Sequence, residues 1–282
     1  MRARRMEEKI FKGLMIMSLA LVLVMLAGII VITVYKGAPA LTLSMLIETP
    51  KGGYYLGKEG GIANAIVGSL LLALGASFCS ILIAIPVAFG LQKEYTGWRF
   101  ASFTKLVLDV LWGTPSIVYG AFGFVVMVYF GLRASLLGGI IVLTLLMLPI
   151  MVRSMEEVIR TIPLELKEIS YALGTTKIET TIAVVLRQAL PGIVTAVLLA
   201  FGRGIGDAAS ILFTAGYTDY IPQSLFDPVA SLPLAVFFQI GTPIPEVQER
   251  AYASALVLLL IVLVVSVISR LLSYRLSKNI VR

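Results

Sequence analysis

The sequence predicts an all-α integral membrane protein with six transmembrane helices and both termini in the cytoplasm, and three observations carry that expectation. The chain of 282 residues is 59% hydrophobic and only 14% charged, whereas a soluble domain is roughly half apolar and a quarter charged. Its apolar residues fall into six long runs, each close to the roughly 20 residues that a bilayer core demands of a helix. Its lysines and arginines gather in alternate connections between those runs, which is the bias that sets orientation.

The first run, 14–35, begins after Met-Arg-Ala-Arg-Arg. It is long, and no small-x-small cleavage site stands behind it, so it reads as a retained helix. The others cover 64–91, 103–130, 135–152, 189–214 and 251–272. With the N-terminus inside, the inner segments hold Arg2, Arg4, Arg5, Lys9 and Lys12, then Lys93, Arg99 and Lys105, then Arg153, Arg160, Lys167, Lys177 and Arg187, then Arg270, Arg275, Lys278 and Arg282. Only Lys36, Lys51, Lys58, Arg133 and Arg250 fall outside. The expected organisation is an N-terminal helix and outer loop over 1–60, then a five-helix core over 61–275. That core carries an inner loop at 153–191 and an outer loop at 215–250, and a tail follows at 276–282.

Composition also removes classes of function. Histidine is absent, which takes away the commonest zinc ligand and the usual neutral-pH proton shuttle. Cys79 lies inside an apolar run, so neither a disulfide framework nor a thiolate metal site is expected. The net charge of +7 is strung between apolar segments and not gathered on a polar domain, which argues for membrane orientation and against nucleic acid. No nucleophile–base set and no paired catalytic carboxylates are visible, so an enzyme is not expected. The stretch from Gly52 to Lys58 has phosphate-loop spacing, but Glu59 stands where a Ser or Thr must hold magnesium. No metal or cofactor is therefore expected in this chain.

The inner loop carries signals for two short helices. Pro163 suits a helix start, and Gly174 can end that helix in the left-handed conformation. Thr176 and Glu179 stand at capping-box spacing and restart the chain. In the first helix Leu166, Ile169 and Leu173 share one face while Glu165 and Glu168 share another. Spacing alone leaves a plain solvated connector open.

Within the spans, Arg203 and Asp207 are four apart on one helix face. Charges at bilayer depth cost at least a few kcal/mol and are rarely idle. The pair either locks two helices together or offers guanidinium donors to a tetrahedral anion, with Asp207 orienting them. Pro115 removes a donor in the third span, with Thr114, Ser116 and Tyr119 beside it, which marks a kink, a gate or a packing bend. Asp109, nearer the inner end of that span, reaches water or a neighbouring cation. Gly202 and Gly206 are spaced for close helix approach. The outer segment 217–250 carries too many prolines to be one continuous helix; a re-entrant or surface-lying cap and a packing plug both fit.

Glu168-Ile169-Ser170, then Gly174, then Val184-Val185-Leu186 and Leu190-Pro191 resemble the EAA loop of ABC-importer permeases. Ile169 and Ser170 replace the two alanines of that motif, and Arg187 stands where a proline often follows the leucine. Gly113-Thr114-Pro115-Ser116-Ile117-Val118-Tyr119-Gly120 is similar to a segment of the paired permeases of phosphate importers. Gly202-Arg203-Gly204-Ile205-Gly206-Asp207-Ala208, running into Leu212-Phe213-Thr214-Ala215-Gly216, resembles their PstA type, with Asp207 in place of a glutamate. The likeness spans roughly residues 60 to 275 in order and spacing.

What the resemblance implies is a type I ABC importer permease fold in the plasma (inner) membrane of a prokaryote. The implied partners are a homologous PstC-like permease, two PstB-like ATP-binding subunits that hold the ATP and magnesium, and an extracytoplasmic PstS-like phosphate-binding protein. It places Glu165, Glu168, Ala172, Gly174, Thr176 and Pro191 in the ATPase-coupling loop, and makes Arg203, Asp207, Thr114, Pro115, Ser116 and Tyr119 candidates for the translocation path. Phosphate would pass between the two permeases. The alternatives are a permease for another oxyanion or small solute, and an ATP-independent secondary transporter. The latter predicts inverted repeats, and the sequence shows no convincing internal repeat.

Overall fold

The computed structural model describes residues 2–51, 60–92 and 94–276. The phosphate-loop-like stretch at 52–58, Lys93 and the tail from 277 onward lie outside the described residues. The regular elements are helices: α1 (Arg2–Gly37), α2 (Leu43–Ile47), α3 (Ala63–Gly90), α4 (Trp98–Gly113), α5 (Ser116–Tyr129), α6 (Leu136–Arg160), α7 (Leu164–Ala172), α8 (Lys177–Thr180), α9 (Leu186–Ile205), α10 (Leu232–Gln239) and α11 (Pro245–Leu276). Five helices are long and apolar enough to cross a membrane, or six if the bent pair α4–α5 is one span.

The bundle is organised around α6. Its most apolar window is 67% buried, against 33% for α3 and 0% for α1. Helix association in lipid depends on close packing, because lipid tails are as apolar as leucine. The sequence supplies that packing by size complementarity. On α3, Ala65, Ala73, Ala76, Ser80, Ala84 and Ala88 form a buried face of small residues, and α6 meets it with the fully or nearly fully buried Leu143, Met147, Met151 and Met155. α9 packs on the flank of α6, α11 lies against α9, and α1 rests on α11.

The third predicted span, 103–130, is not one helix. α4 and α5 meet at 102°. Pro115 has no N–H to continue the ladder, and it pushes the preceding residue toward extended backbone; Thr114 adopts φ −76°, ψ 128°. Two carbonyls freed at the break are recaptured: Thr114 Oγ1 donates to the Val110 carbonyl at 2.7 Å, and the Tyr119 hydroxyl donates to that of Leu111 at 2.6 Å.

The fifth predicted span, 189–214, is displaced. α8 runs through a π-helical turn, Thr181–Val185, into α9, giving a helical stretch Lys177–Ile205. The second loop helix is thus the first turn of the span, not a separate element. α6 likewise continues to Arg160, so the irregular part of the inner loop is shorter than 153–191. At its far end α9 stops at Ile205, and the chain turns repeatedly from Asp207 to Ala215. Hydropathy could not see either shift, because the turn residues 208–215 are as apolar as a helix and the start of α8 is polar.

The outer segment folds back into the bundle. Val229, Ala230, Leu232, Leu234 and Ala235 are fully buried. Ser231 caps α10, and Ser69 of α3 accepts the Leu232 N–H at 2.8 Å.

Candidate functional site

The turn following α9 is built by Asp207. One carboxylate oxygen accepts from Arg203 Nη1 at 3.0 Å, and the other accepts the Ser210 N–H at 2.8 Å. The Asp207 N–H itself donates to the Gly204 carbonyl at 3.1 Å. With both oxygens engaged, the carboxylate is fixed and buried, at 4% exposure for its side chain, while that of Arg203 is 51% exposed. The pair is therefore unequal. Asp207 terminates the helix and holds one arm of the guanidinium, whose remaining N–H donors are uncommitted among the described residues.

The two motif segments meet. A Cβ on Gly120 would lie 2.8 Å from the carbonyl oxygens of both Ala209 and Ser210, so α5 rests directly on the turn that Asp207 initiates. Thr214 extends the joint, accepting the Ser135 N–H at 2.8 Å. The polar side chains of the proline segment do not join Arg203. Tyr119 is buried with its hydroxyl committed to Leu111, Thr114 bonds its own helix, Pro115 is exposed and Ser116 is half-buried. Among the described residues nothing lies within 4 Å of a Cβ on Gly202, whereas one on Gly204 would meet Met147 Sδ at 2.6 Å, so within this chain the close approach falls at Gly204. Gly120→Val is expected to destabilise the chain by about 2 kcal/mol through overpacking and to lower uptake further by shifting the Arg203 turn. Thermal unfolding of the purified assembly measures the first effect and vesicle uptake the second.

At the opposite end of α9 stands α7. Thr176 and Glu179 form the complete capping box, and Gly174 sits at φ +84°, where side chains are strained. Ser170 closes the turn by sharing hydrogen bonds with Thr175 and Thr180 at 2.8 and 3.0 Å. Lys167 is buried and pairs with Glu94 at 2.9 Å. Lys177 Nζ donates to the Glu94 carbonyl, and the Tyr95 hydroxyl donates to that of Lys177. Burial, then Glu94 and Tyr95, push the Tyr171 hydroxyl above its ordinary pKa. The polarity of α7 is thereby inverted: its lysine and serine face inward, while Ile169 and Leu173 are 60% and 80% exposed. Glu165, Glu168, Ala172, Gly174 and Thr176 share the exposed surface, but Pro191 does not, being buried inside α9. Sequence reasoning missed Glu94 and Tyr95, which lie in the α3–α4 connection far from the loop they anchor.

A second ionic group ties α4 to α6 at this same end. Buried Glu156 pairs with Lys105 at 2.5 Å and with Arg153 at 3.2 Å, and Arg153 also pairs with Asp109.

The chain is similar to known proteins over most of its length. Residues 80–282 match the family described as binding-protein-dependent transport system inner membrane component. The chain is 33% identical over 269 residues to the phosphate transport system permease protein PstA of Yersinia pestis, covering 95% of this chain and 90% of that one. It is 34% identical to the protein of the same name from Mycobacterium leprae, covering 92% and 86%. Among solved structures, the inward-facing MetNI methionine ABC transporter superposes with a TM-score of 0.62 at 18% identity, over 77% of this chain and 96% of that chain. An amino acid ABC transporter solved with histidines gives 0.58 at 18% identity, over 76% and 93%. Long apolar helices around a buried α6, a structured α7 and relatives matched over nearly the whole length lead to one placement. The chain is a multi-pass protein of the inner (plasma) membrane and belongs to the binding-protein-dependent transport system inner membrane component family.

Proposed function

We propose that this chain is one of two permease subunits of an ATP-driven importer of inorganic phosphate. The observation that carries the substrate assignment is the near full-length match to relatives named phosphate transport system permease PstA, read together with a half-exposed guanidinium held by a buried carboxylate. Phosphate is a tetrahedral oxyanion, and a guanidinium fork is suited to it geometrically as an ammonium is not. Tying one arm of Arg203 to Asp207 leaves a site that attracts an anion without trapping it, which a pathway needs.

In this reading α7 faces the cytoplasm, in keeping with the distribution of Lys and Arg, and its exposed apolar face docks on an ATP-binding subunit. ATP and magnesium are held there and not in this chain. A homologous PstC-like permease supplies the other wall of the path, and a PstS-like binding protein delivers phosphate to the outer face. Motion of the docked subunit reaches the path mechanically, because α7 is pinned to the start of α8–α9 and α9 ends at Arg203 and the Asp207 turn.

ATP-dependent phosphate uptake by the complete assembly in proteoliposomes tests this. Arg203→Ala is expected to lower uptake at least about tenfold, a loss of some 1.4 kcal/mol, with the complex still assembled. Phosphate uptake that proceeds without ATP would return the chain to the secondary-transporter reading. Uptake of sulfate in preference to phosphate would assign it to another oxyanion.

A further inference from the structure

Below Arg203 on the same exposed side of α9 lies an open groove of about 520 Å³ between α9 and α11, lined among others by Thr195, Leu199, Ser266, Ser269, Arg270 and Ser273. Thr195, Leu199 and Arg203 follow one another at four-residue spacing, so Thr195 is about 12 Å along the axis from Arg203 toward the α7 end. On α11, Ser266, Ser269, Arg270 and Ser273 stand at i, i+3, i+4 and i+7, one face of a helix. Ser269, Arg270 and Ser273 have no hydrogen-bond or ion-pair partner among the described residues, and none of the residues lining the groove is acidic.

Arg270 is exposed and Ser269 and Ser273 are half-buried, so the guanidinium and two hydroxyls of this groove are open to an incoming ligand and no carboxylate holds them. A guanidinium flanked by hydroxyl donors suits an acceptor-rich anion. At ~30 Å³ per water, the groove holds an oxyanion together with part of its hydration.

The geometry points to a second oxyanion station at Arg270, Ser269 and Ser273, which receives phosphate after it leaves Arg203 on its way to the cytoplasm. The proposal rests on the phosphate-importer reading above and deepens it. A doubly charged anion cannot cross ~12 Å of apolar wall unaided. Arg270 and its neighbouring hydroxyls supply the next set of donors, with Thr195 and Ser266 in the same lining. Thr195 and Ser266 spend their protons on their own helices, donating to Pro191 and Val262 at 2.9 and 2.7 Å, so they polarise the lane without binding tightly. Several weak sites in series let an ion both enter and leave. A phospholipid headgroup presents the same phosphate chemistry, so the test must separate the two sources.

The test uses the complete assembly in vesicles of phosphatidylcholine alone and of phosphatidylcholine with added phosphatidylglycerol. Arg270→Gln is expected to lower phosphate uptake about tenfold in both lipids. Arg270→Lys should recover part of it, and Ser269→Ala with Ser273→Ala should lower it about threefold. In a Cys79→Ala background, labelling of Ser273→Cys by an anionic thiol reagent should be slowed by inorganic phosphate, and Arg270→Gln should remove that protection. A defect confined to the phosphatidylglycerol vesicles would overturn the proposal in favour of a lipid site, and loss of assembly would overturn it in favour of a subunit contact. If wild type carries phosphate and Arg203→Ala loses it while Arg270→Gln is unaffected, the second station alone falls. If wild type carries no phosphate, both readings fall.

Discussion

Replacing Ile169 and Leu173 together with aspartate is expected to lower ATP-dependent uptake at least about a hundredfold while leaving the bundle intact. The two side chains are 60% and 80% exposed, so neither supports the core, and their loss should leave unfolding temperature nearly unchanged. Burying such a side chain against a partner stabilises by about 1.5–3 kcal/mol, and each 1.4 kcal/mol is a factor of ten in affinity. Removing two, and placing charges where an apolar cleft expects none, exceeds the hundredfold mark. Lys167→Met is the informative control, because it breaks the ion pair with Glu94 on the inward face and leaves the docking face untouched. Co-purification of the ATP-binding subunit and vesicle uptake measure the result. Wild-type uptake in the double variant would show that α7 is a connector and not a docking element.

The parts of this structure legible in the sequence are those set by local chemistry. The capping box at Thr176, the left-handed Gly174 and the break at Pro115 each follow from one or two residues whose backbone preferences act over a single turn. The long apolar helices are legible for the same reason, since span length is imposed by the bilayer. Their ends are not. Hydropathy alone cannot separate the buried turn 208–215 from a helix, and only the Asp207 carboxylate capping Ser210 reveals that α9 has stopped. Contacts between distant segments were equally hidden. Nothing in the sequence around Glu94 announces that it anchors Lys167, and the closeness of Gly120 to the Ala209 and Ser210 carbonyls shows only in three dimensions. The Arg203–Asp207 pair was visible as a spacing, but its asymmetry required the fold. An i, i+4 pattern does not say which partner is buried.

The second large effect is expected at Glu156, where α4 is held to α6. Leu108 is the one α4 residue among those described that is buried, so little apolar packing secures this helix. Its attachment at the α7 end is ionic: Glu156, with a side chain 5% exposed, accepts Lys105 at 2.5 Å and Arg153 at 3.2 Å. Arg153 in turn donates to the Lys105 carbonyl at 3.0 Å and pairs with Asp109. Glu156→Ala leaves Lys105 without its carboxylate and Arg153 with Asp109 alone; breaking a fully buried pair costs about 3–5 kcal/mol, and with the Lys105 side chain 35% exposed the expected loss is about 2 kcal/mol. Thermal unfolding of the detergent-solubilised assembly should fall accordingly. Lys105→Met with Glu156→Met removes the buried carboxylate together with its half-buried partner and replaces them with flexible apolar side chains, while Arg153 keeps Asp109. That double variant is expected to be as stable as wild type, because the attraction of a buried pair is largely offset by its desolvation. If uptake nevertheless drops in the stable double variant, the ions serve to hold α4 in one register against α6, and with it the 102° break that sets α5 against the Arg203 turn. If uptake is unchanged, the cluster contributes adhesion alone, and the geometry at Pro115 is maintained by the recaptured carbonyls of Val110 and Leu111.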